Sequence, residues 1–329
     1  MKETLRQRWH SSINCLANEL HSQSLQSHPK QSPSQLDDDA VAIASDAISS
    51  LSNKWLDKVT LLYDEPHRAY HNMSHIEDVL ASLDFLLETR PKPTASQSLP
   101  PSICDDSDMA ISALAAFFHD VIYNPQSSTN EKDSADLFLE FASELCTIIS
   151  SSLKQGHTTD SSTTIVGNDK KQQPAIMQSE MISQIEQCII ATATHISSAN
   201  QARESNNILV AVFLDADMSI LGRDADRYDQ YAGSIRKEYE FVERSIYCEK
   251  RAEILESFLP VMDAVGGIPN DETNTLPSSD SSSRGKDKQH LFIYATEKGR
   301  ELWEDQARQN LKREIDMLQR GTIPCEEDS

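Results

Sequence analysis

Residues 110–123 read AISALAAFFHDVIY: the stretch is apolar for about two helical turns and then places His119 beside Asp120. A helix that is hydrophobic on every side belongs in a core. An ionisable pair in such a core costs several kcal/mol unless something compensates it. A bound cation is the simplest compensation, because neutral imidazole and carboxylate are both good metal ligands. The stretch therefore predicts a central buried helix and directs attention to residues elsewhere that could complete a metal site.

The composition argues against several classes of partner. The 329 residues carry a formal net charge of −22 and the pI is about 4.8, which disfavours a nucleic-acid polymer or an anionic membrane as general partner. The six cysteines form no C-x-x-C pair, which indicates free thiols in a reducing compartment. The N-terminus lacks the apolar region of a signal peptide, and the longest aliphatic run is too short to span a bilayer. These features predict a cytoplasmic protein.

Polar low-complexity stretches divide the chain. Residues 1–20 repeat apolar side chains at helical spacing and predict an N-terminal helix, and residues 21–39 read as a linker. Residues 40–320 predict a single helical domain, followed by an acidic tail at 321–329. Stretches rich in Pro, Ser, Asp, Thr, Gln or Lys predict long disordered insertions between helices, at about 91–107, 150–179 and 264–289.

The remaining segments carry the 3.6-residue periodicity of helices, and none shows the alternation of a strand. One helix is expected to end before Pro66, because the residue ahead of a proline is pushed out of the helical region. The next is expected to begin near Asn72, a good N-cap residue. Further helices are predicted at about 131–149, 180–197, 206–221, 225–245, 247–260 and 300–320. The fold class is therefore predicted to be all-α.

Four pieces of the sequence carry candidate metal ligands. They are residues 70–79 (YHNMSHIEDV), the His119-Asp120 pair, His195 at the end of the segment ATATH, and residues 214–217 (LDAD). Each has an ordinary explanation when taken alone, since His-Asp dipeptides are common and Asp217 could cap the next helix. Their joint occurrence at the ends of apolar helical segments is what indicates a site.

Taken in order, these motifs resemble a known family. The sequence YHNMSHIEDV, then FHDVIYNP with NE following, then LDADMSILG is similar to the HD superfamily of metal-dependent phosphohydrolases. IRKEY at 235–239, IYAT at 293–296 and ARQNL at 307–311 match a group of predicted phosphohydrolases within that superfamily. The first motif is shared with cyclic-nucleotide phosphodiesterases. The resemblance covers most of residues 50–320 outside the insertions and implies an HD-type helical bundle.

The resemblance implies a set of metal ligands. Matching the motifs residue by residue gives His75, His119, Asp120 and Asp217. Asp217 is preferred over Asp215 because the last ligand of the superfamily usually follows Ala within an Ala-Asp pair. Asp215 would then orient a ligand or a water.

The same resemblance implies roles around the metal. His71 would donate a proton to the leaving oxygen, with Asn72 helping to position it or capping the helix. Asp120 could bridge to a second cation, and His195 could complete that second site or bind substrate phosphate. Alternatively, His195 is a core histidine at a helix C-terminus, where its cationic form is favoured.

Three further residues have both a site role and an ordinary one. Glu131 could face the site or begin the next helix, where an acid suits the helix dipole, and the second reading is preferred. Arg68 and Arg236, together with Arg251, are candidates for holding a substrate phosphate. Each of these arginines could equally form an ion pair or lie on the surface.

The function implied is hydrolysis of a phosphoester of a nucleotide or related small molecule, with a metal-activated water as nucleophile. One or two divalent cations per chain are expected, and Mn, Mg, Co, Zn and Fe all suit mixed nitrogen and oxygen ligands. Two alternatives stay open: an HD-type di-iron oxygenase, and a non-catalytic regulator that binds a metal or a nucleotide.

Overall fold

The computed structural model describes residues 2–26, 38–88, 106–155, 179–259 and 292–325. Every regular element within these ranges is helical, which confirms the all-α prediction. The expected insertions fall largely outside the described residues, and of the acidic tail at 321–329 the structure describes residues 321–325. No helix within the described ranges is long and apolar enough to cross a membrane.

Eleven helices of eight residues or more follow one another along the described ranges. They are α1 (Glu3–Gln26), α2 (Asp38–Tyr63), α3 (Met73–Glu88), α4 (Asp106–Phe118), α5 (Asn130–Gln155), α6 (Glu180–Ala191), α7 (His195–Glu204), α8 (Ile208–Asp217), α9 (Ala225–Glu238), α10 (Arg244–Phe258) and α11 (Asp305–Gln319). Short 3-10 segments follow α6 and α8. A helical turn (Glu297–Gly299) and five π-helical residues (Arg300–Glu304) lead into α11.

Helix α4 lies at the centre of the molecule, as its composition predicts. Every residue from Ala110 to Phe118 is buried. Helix α1 packs along α4 and also contacts α2 and α5. Its Trp9 ring lies edge-on to Phe117 at a centroid distance of 5.1 Å, and its indole nitrogen donates to the Ser52 carbonyl oxygen at 3.0 Å. Burying each large apolar side chain contributes roughly 1.5–3 kcal/mol, so α1 is an integral part of the core.

The C-terminal ends of α1 and α4 differ from those expected from the sequence. Helix α1 continues through residues 21–26, which were expected to begin a linker. Helix α4 ends at Phe118, although the apolar pattern continues to Tyr123. The amide of His119 still donates to the Ala115 carbonyl oxygen, but the carbonyl oxygens of Asp120 and Val121 accept hydrogen bonds from Arg68 instead of continuing the helix.

The packing brings several helix ends to one place. Helix α3 packs against both α4 and α8, and α7 packs against α8. His75 lies in the first turn of α3, His119 and Asp120 follow the last residue of α4, and Asp217 is the last residue of α8. Helix ends leave backbone groups without intrahelical partners and let the chain turn, so residues from distant segments can converge there.

Candidate metal centre

Three side chains at these helix ends form a group that could hold a metal ion. His75, His119 and Asp120 each offer one ligand atom, and these atoms all lie within 4.8 Å of one another. The two Nε2 atoms of the histidines are 3.2 Å apart. Oδ2 of Asp120 is 3.0 Å from Nε2 of His119 and 3.6 Å from Nε2 of His75.

Asp217 directs a fourth ligand atom to the same point. Its Oδ1 atom lies 3.1 Å from Nε2 of His75 and 3.4 Å from Nε2 of His119. Adjacent ligands of a cation with bonds of about 2.1 Å are about 3.0–3.4 Å apart in octahedral or tetrahedral geometry. The distances from Oδ1 of Asp217 to the two histidine nitrogens lie within this range. Of the two aspartates in LDAD, it is Asp217 that meets the histidines.

Hydrogen bonding orients one of the two imidazoles. Nδ1 of His119 lies 2.9 Å from the Ala116 carbonyl oxygen, and because a carbonyl only accepts, Nδ1 carries the proton. Nε2 then faces His75 and the carboxylates, and it presents a lone pair to a cation once its own proton is lost. This is the arrangement that metal-binding histidines usually adopt. Nδ1 of His75 is buried without a hydrogen-bond partner among the described residues.

His119 and the two aspartates shift one another's pKa values. Burial alone would raise the pKa values of Asp120 and Asp217, but the nearby histidines, His119 foremost, hold both below the ordinary range. Burial alone would lower the pKa of His119, but the two carboxylates raise it well above its ordinary value. Both carboxylates therefore remain ionised at neutral pH, as metal ligands must be.

His195 contacts the group through Asp217. Its Nε2 atom lies 2.8 Å from Oδ2 of Asp217, the oxygen that does not face His75 and His119. The expected continuous helix over 180–197 is interrupted by the 3-10 segment Thr192–Thr194, and His195 is the first residue of α7. The alternative of a core histidine at a helix C-terminus is therefore wrong about the helix end, because His195 begins α7.

Arg68 fastens the turn that carries His119 and Asp120. The side chain is buried, and Nη1 donates to the carbonyl oxygens of Asp120 at 2.6 Å and His71 at 3.1 Å. Nη2 donates to Val121 and Nε to the Glu65 carboxylate. The guanidinium is thus bonded to four protein oxygens, and it links the loop of His71 to the turn of Asp120.

His71 is held by a residue that the sequence motifs did not single out. Nδ1 of His71 lies 2.7 Å from Oε2 of Glu238, and the backbone amides of Tyr70 and His71 both donate to Oε1. The Tyr123 hydroxyl also donates to Oε2, at 2.8 Å. Burial alone would lower the pKa of His71, but the hydrogen bond to Glu238 and the charge of Asp120 raise it.

Glu238 and Tyr123 carried weak sequence signals. Both belong to motifs quoted for the resemblance, IRKEY and FHDVIYNP, but the resemblance gave neither residue a role in the site. A buried acid at the end of an amphipathic helix would have been the signal to follow for Glu238, which is the last residue of α9.

Asp215 lies away from the ligand group and holds another part of the chain. Its carboxylate accepts hydrogen bonds from the amides of Ala295 at 2.6 Å and Thr296 at 2.8 Å, and from the Thr296 hydroxyl. Among the contacts of the described residues it touches none of the four ligands. The expectation that Asp215 orients a ligand or a water is not what this geometry displays.

The other candidates have structural partners. Oδ1 of Asn72 accepts from the amide of Ser74 and caps α3, and Glu131 lies in the first turn of α5, as preferred. Arg236 donates to the carbonyl oxygens of Tyr239 and Val242. Arg251 forms a buried ion pair with Glu314 at 3.0 Å.

No protein-family model, no curated protein and no solved structure matches this chain. The geometry of the site and the chemistry of its residues therefore carry the functional argument.

Proposed function

We propose that this protein is a metal-dependent phosphohydrolase that cleaves a phosphoester of a nucleotide-like small molecule. One observation carries the proposal: Nε2 of His75 and of His119 and one oxygen each of Asp120 and Asp217 converge from three helix ends, with separations of 3.0–3.6 Å between each nitrogen and its neighbours. Two imidazoles and two carboxylates form a donor set suited to a divalent cation such as Mn, Mg, Co, Zn or Fe.

The proposed chemistry divides between the cation and the protein. A divalent cation bound by these four residues would supply an acidified water and polarisation of a phosphoryl oxygen. The side chains of Asp120, His71 and His195 are 18%, 20% and 23% exposed, whereas those of His75 and His119 are buried. The proposal places the phosphate group beside Asp120 and His71.

His71 is proposed as the proton donor to the leaving oxygen. Because Nδ1 is bonded to Glu238, Nε2 is the atom left to carry a proton towards a substrate. The raised pKa of His71, for which Glu238 and Asp120 are responsible against the effect of burial, favours the protonated form that a general acid requires. Glu238 fixes the ring and stabilises its charge, and Tyr123 and two backbone amides fix Glu238 in turn.

His195 is proposed to orient Asp217. A hydrogen bond to Oδ2 leaves Oδ1 directed at His75 and His119. One cation per chain then needs no ligand from His195. A measured content of two cations per chain would instead assign His195 to a second metal site that shares Asp217.

The proposal is tested by metal analysis combined with an activity screen. We expect the purified protein to contain or bind a divalent cation and to release phosphate, or cleave a phosphodiester, in a panel of nucleotides. His119→Ala should lose both properties, whereas His21→Ala, on α1 and outside the site, should keep them. Absence of metal and of activity, with His119→Ala behaving like the wild type, would refute the proposal.

The same experiment separates the two alternatives. Metal binding without turnover of any phosphoester would favour a non-catalytic regulator. An iron-rich protein that consumes oxygen and releases no phosphate would favour an oxygenase.

A further inference from the structure

A cavity of about 450 Å³ adjoins the residues that hold His71. Tyr123 and Glu238 belong to its wall and also form the hydrogen bonds to each other and to His71 described above. The proposed ligand group of the cation is not part of this wall. A volume of this size lies within the range of small-molecule sites, roughly 300–1,000 Å³.

Aromatic surfaces dominate one part of the cavity. The rings of His67 and Tyr123 are nearly parallel, with an interplanar angle of 9° and a centroid distance of 6.1 Å. Phe241, which also lines the cavity, leaves 52% of its surface exposed although it stacks on Tyr239. Exposed aromatic faces beside a cavity favour binding of a planar ring, because stacking adds to the burial of apolar area.

The polar groups of the cavity indicate the charge of its ligand. Glu65 lies at the wall with a side chain that is 38% exposed, and one of its oxygens already accepts from Arg68. Glu238 also belongs to the wall, but its side chain is fully buried and its two oxygens already accept from His71, Tyr123 and two backbone amides. The Glu65 carboxylate disfavours a phosphate or another anion, and it favours a ring N–H group that can donate a hydrogen bond.

We propose that this cavity binds a planar, uncharged aromatic ring that carries N–H donors, at a site separate from the metal centre. The ring packs against Tyr123 and Phe241 and donates to Glu65. The chemistry is that of a nucleobase, whether free or as part of an unphosphorylated nucleoside. The ligand acts as an effector, because its contact with Tyr123 reaches His71 through Glu238. That effect on turnover rests on the proposed function, whereas the binding does not.

The binding is tested with 2-aminopurine, a fluorescent purine base, and with its riboside, both added to the full chain in the presence of EDTA. Stacking on aromatic rings should quench the fluorescence of both in a saturable titration. The 5′-monophosphate of the riboside should bind at least tenfold more weakly. Phe241→Ala should weaken binding of the base at least fivefold, whereas Phe85→Ala, an exposed phenylalanine outside the cavity (46% exposed), should change it less than twofold.

His119→Ala distinguishes the two proposals. It should remove metal binding and phosphoester cleavage but leave the titration with 2-aminopurine unchanged. The effector site is overturned if the base causes no quenching, if Phe241→Ala binds as tightly as the wild type, or if binding requires His119 or favours the 5′-monophosphate. The last result would place the ring in the metal centre. If the phosphohydrolase proposal fails but Phe241-dependent binding is found, the cavity is a ligand site in its own right.

Discussion

Two aspartates of helix α8, Asp215 and Asp217, have the same side chain and lie two residues apart, yet they serve different parts of the molecule. A helix advances about 100° per residue, so their side chains leave the helix on nearly opposite sides. Asp217 faces His75, His119 and His195. Asp215 faces the segment at residues 295–296 and accepts hydrogen bonds from it.

Their pKa values move in opposite directions. Burial alone would raise both. For Asp217 the neighbouring histidines, above all His119, outweigh burial, and the pKa lies well below its ordinary value. For Asp215 burial outweighs the hydrogen bonds from Thr296 and Ala295 and the charge of Arg300, and the pKa rises to about 6. The imidazoles around Asp217 keep its carboxylate ionised, as a metal ligand requires. The carboxylate of Asp215 instead fixes the segment at residues 295–296 by accepting hydrogen bonds from its amides. The partners, and not the residue type, decide the role.

The largest expected effect comes from Asp217→Ala. Removing one of the four proposed ligands and its charge should lower the affinity for the divalent cation by at least about 100-fold, because a cation in a buried site depends on its full set of anionic donors. Phosphoester cleavage should fall with it. The measurements are metal content after gel filtration and turnover of the substrate found in the screen.

The far-ultraviolet circular dichroism spectrum provides the control for Asp217→Ala. Asp217 is the last residue of α8, where alanine is compatible with a helix end, so the spectrum should match that of the wild type. A variant that keeps its metal would contradict the assignment of Asp217 as a ligand.

Asp215→Ala should have the converse effect. The substitution leaves the amides of Ala295 and Thr296 without an acceptor in a buried environment, which costs about 1–3 kcal/mol for each unsatisfied group. We expect the free energy of unfolding to fall by about 3 kcal/mol, measured by urea denaturation. The folded fraction should still bind the cation with an affinity within about threefold of the wild type. If Asp215→Ala lost metal binding while its stability was unchanged, the prediction would be wrong and Asp215 would belong to the metal site.

Part of this comparison was predictable from the sequence. Apolar periodicity identified the helices, and Pro66 correctly limited α2, which ends at Tyr63. The resemblance selected Asp217 over Asp215, and the structure brings Asp217 to the histidines. The true end of α4 was not predictable, because residues 121–123 remain apolar and the side chains that hold the turn are distant in sequence, among them Arg68, about fifty positions earlier.

Other features depend on contacts that no local pattern encodes. Glu238 pairs with His71 across 167 positions, and in the sequence it is one of many acids. Asp215 was expected near the metal because it is close to Asp217 in sequence. Its actual partners lie 80 and 81 positions away. Periodicity reports which face of a helix is buried, but it does not report what that face meets.

A smaller effect is expected from His195→Ala, which removes the hydrogen bond to Oδ2 of Asp217 and leaves the four proposed ligands intact. Loss of a partner that orients a metal ligand typically lowers the affinity 10–100-fold. Because His195 is partly exposed, we expect the lower end, about tenfold, in a competition assay with a metal-binding dye. His195→Gln, which can still donate a hydrogen bond, should recover part of the affinity. Unchanged affinity in His195→Ala would show that Asp217 is oriented by its backbone alone.

The smallest effect is expected from Thr296→Val on the Asp215 side. The hydroxyl of Thr296 donates to Oδ2 of Asp215 at 2.6 Å and accepts from the amide of Gly299. It thereby caps the helical turn Glu297–Gly299. Valine has the same shape and suits the extended backbone of this residue (φ −87°, ψ 154°), so the change isolates the hydroxyl. Loss of a capping side chain costs about 1 kcal/mol, which should lower the melting temperature by about 2–4 °C.

Thr296→Ser is the matched control, because it keeps the hydroxyl and removes only a methyl group. It should restore most of the lost stability, as measured by differential scanning calorimetry, and neither variant should alter the metal content. If Thr296→Val reduced metal binding without reducing stability, the segment at 295–296 would be coupled to the metal centre through α8. The two aspartates would then act as one unit through the last turn of that helix.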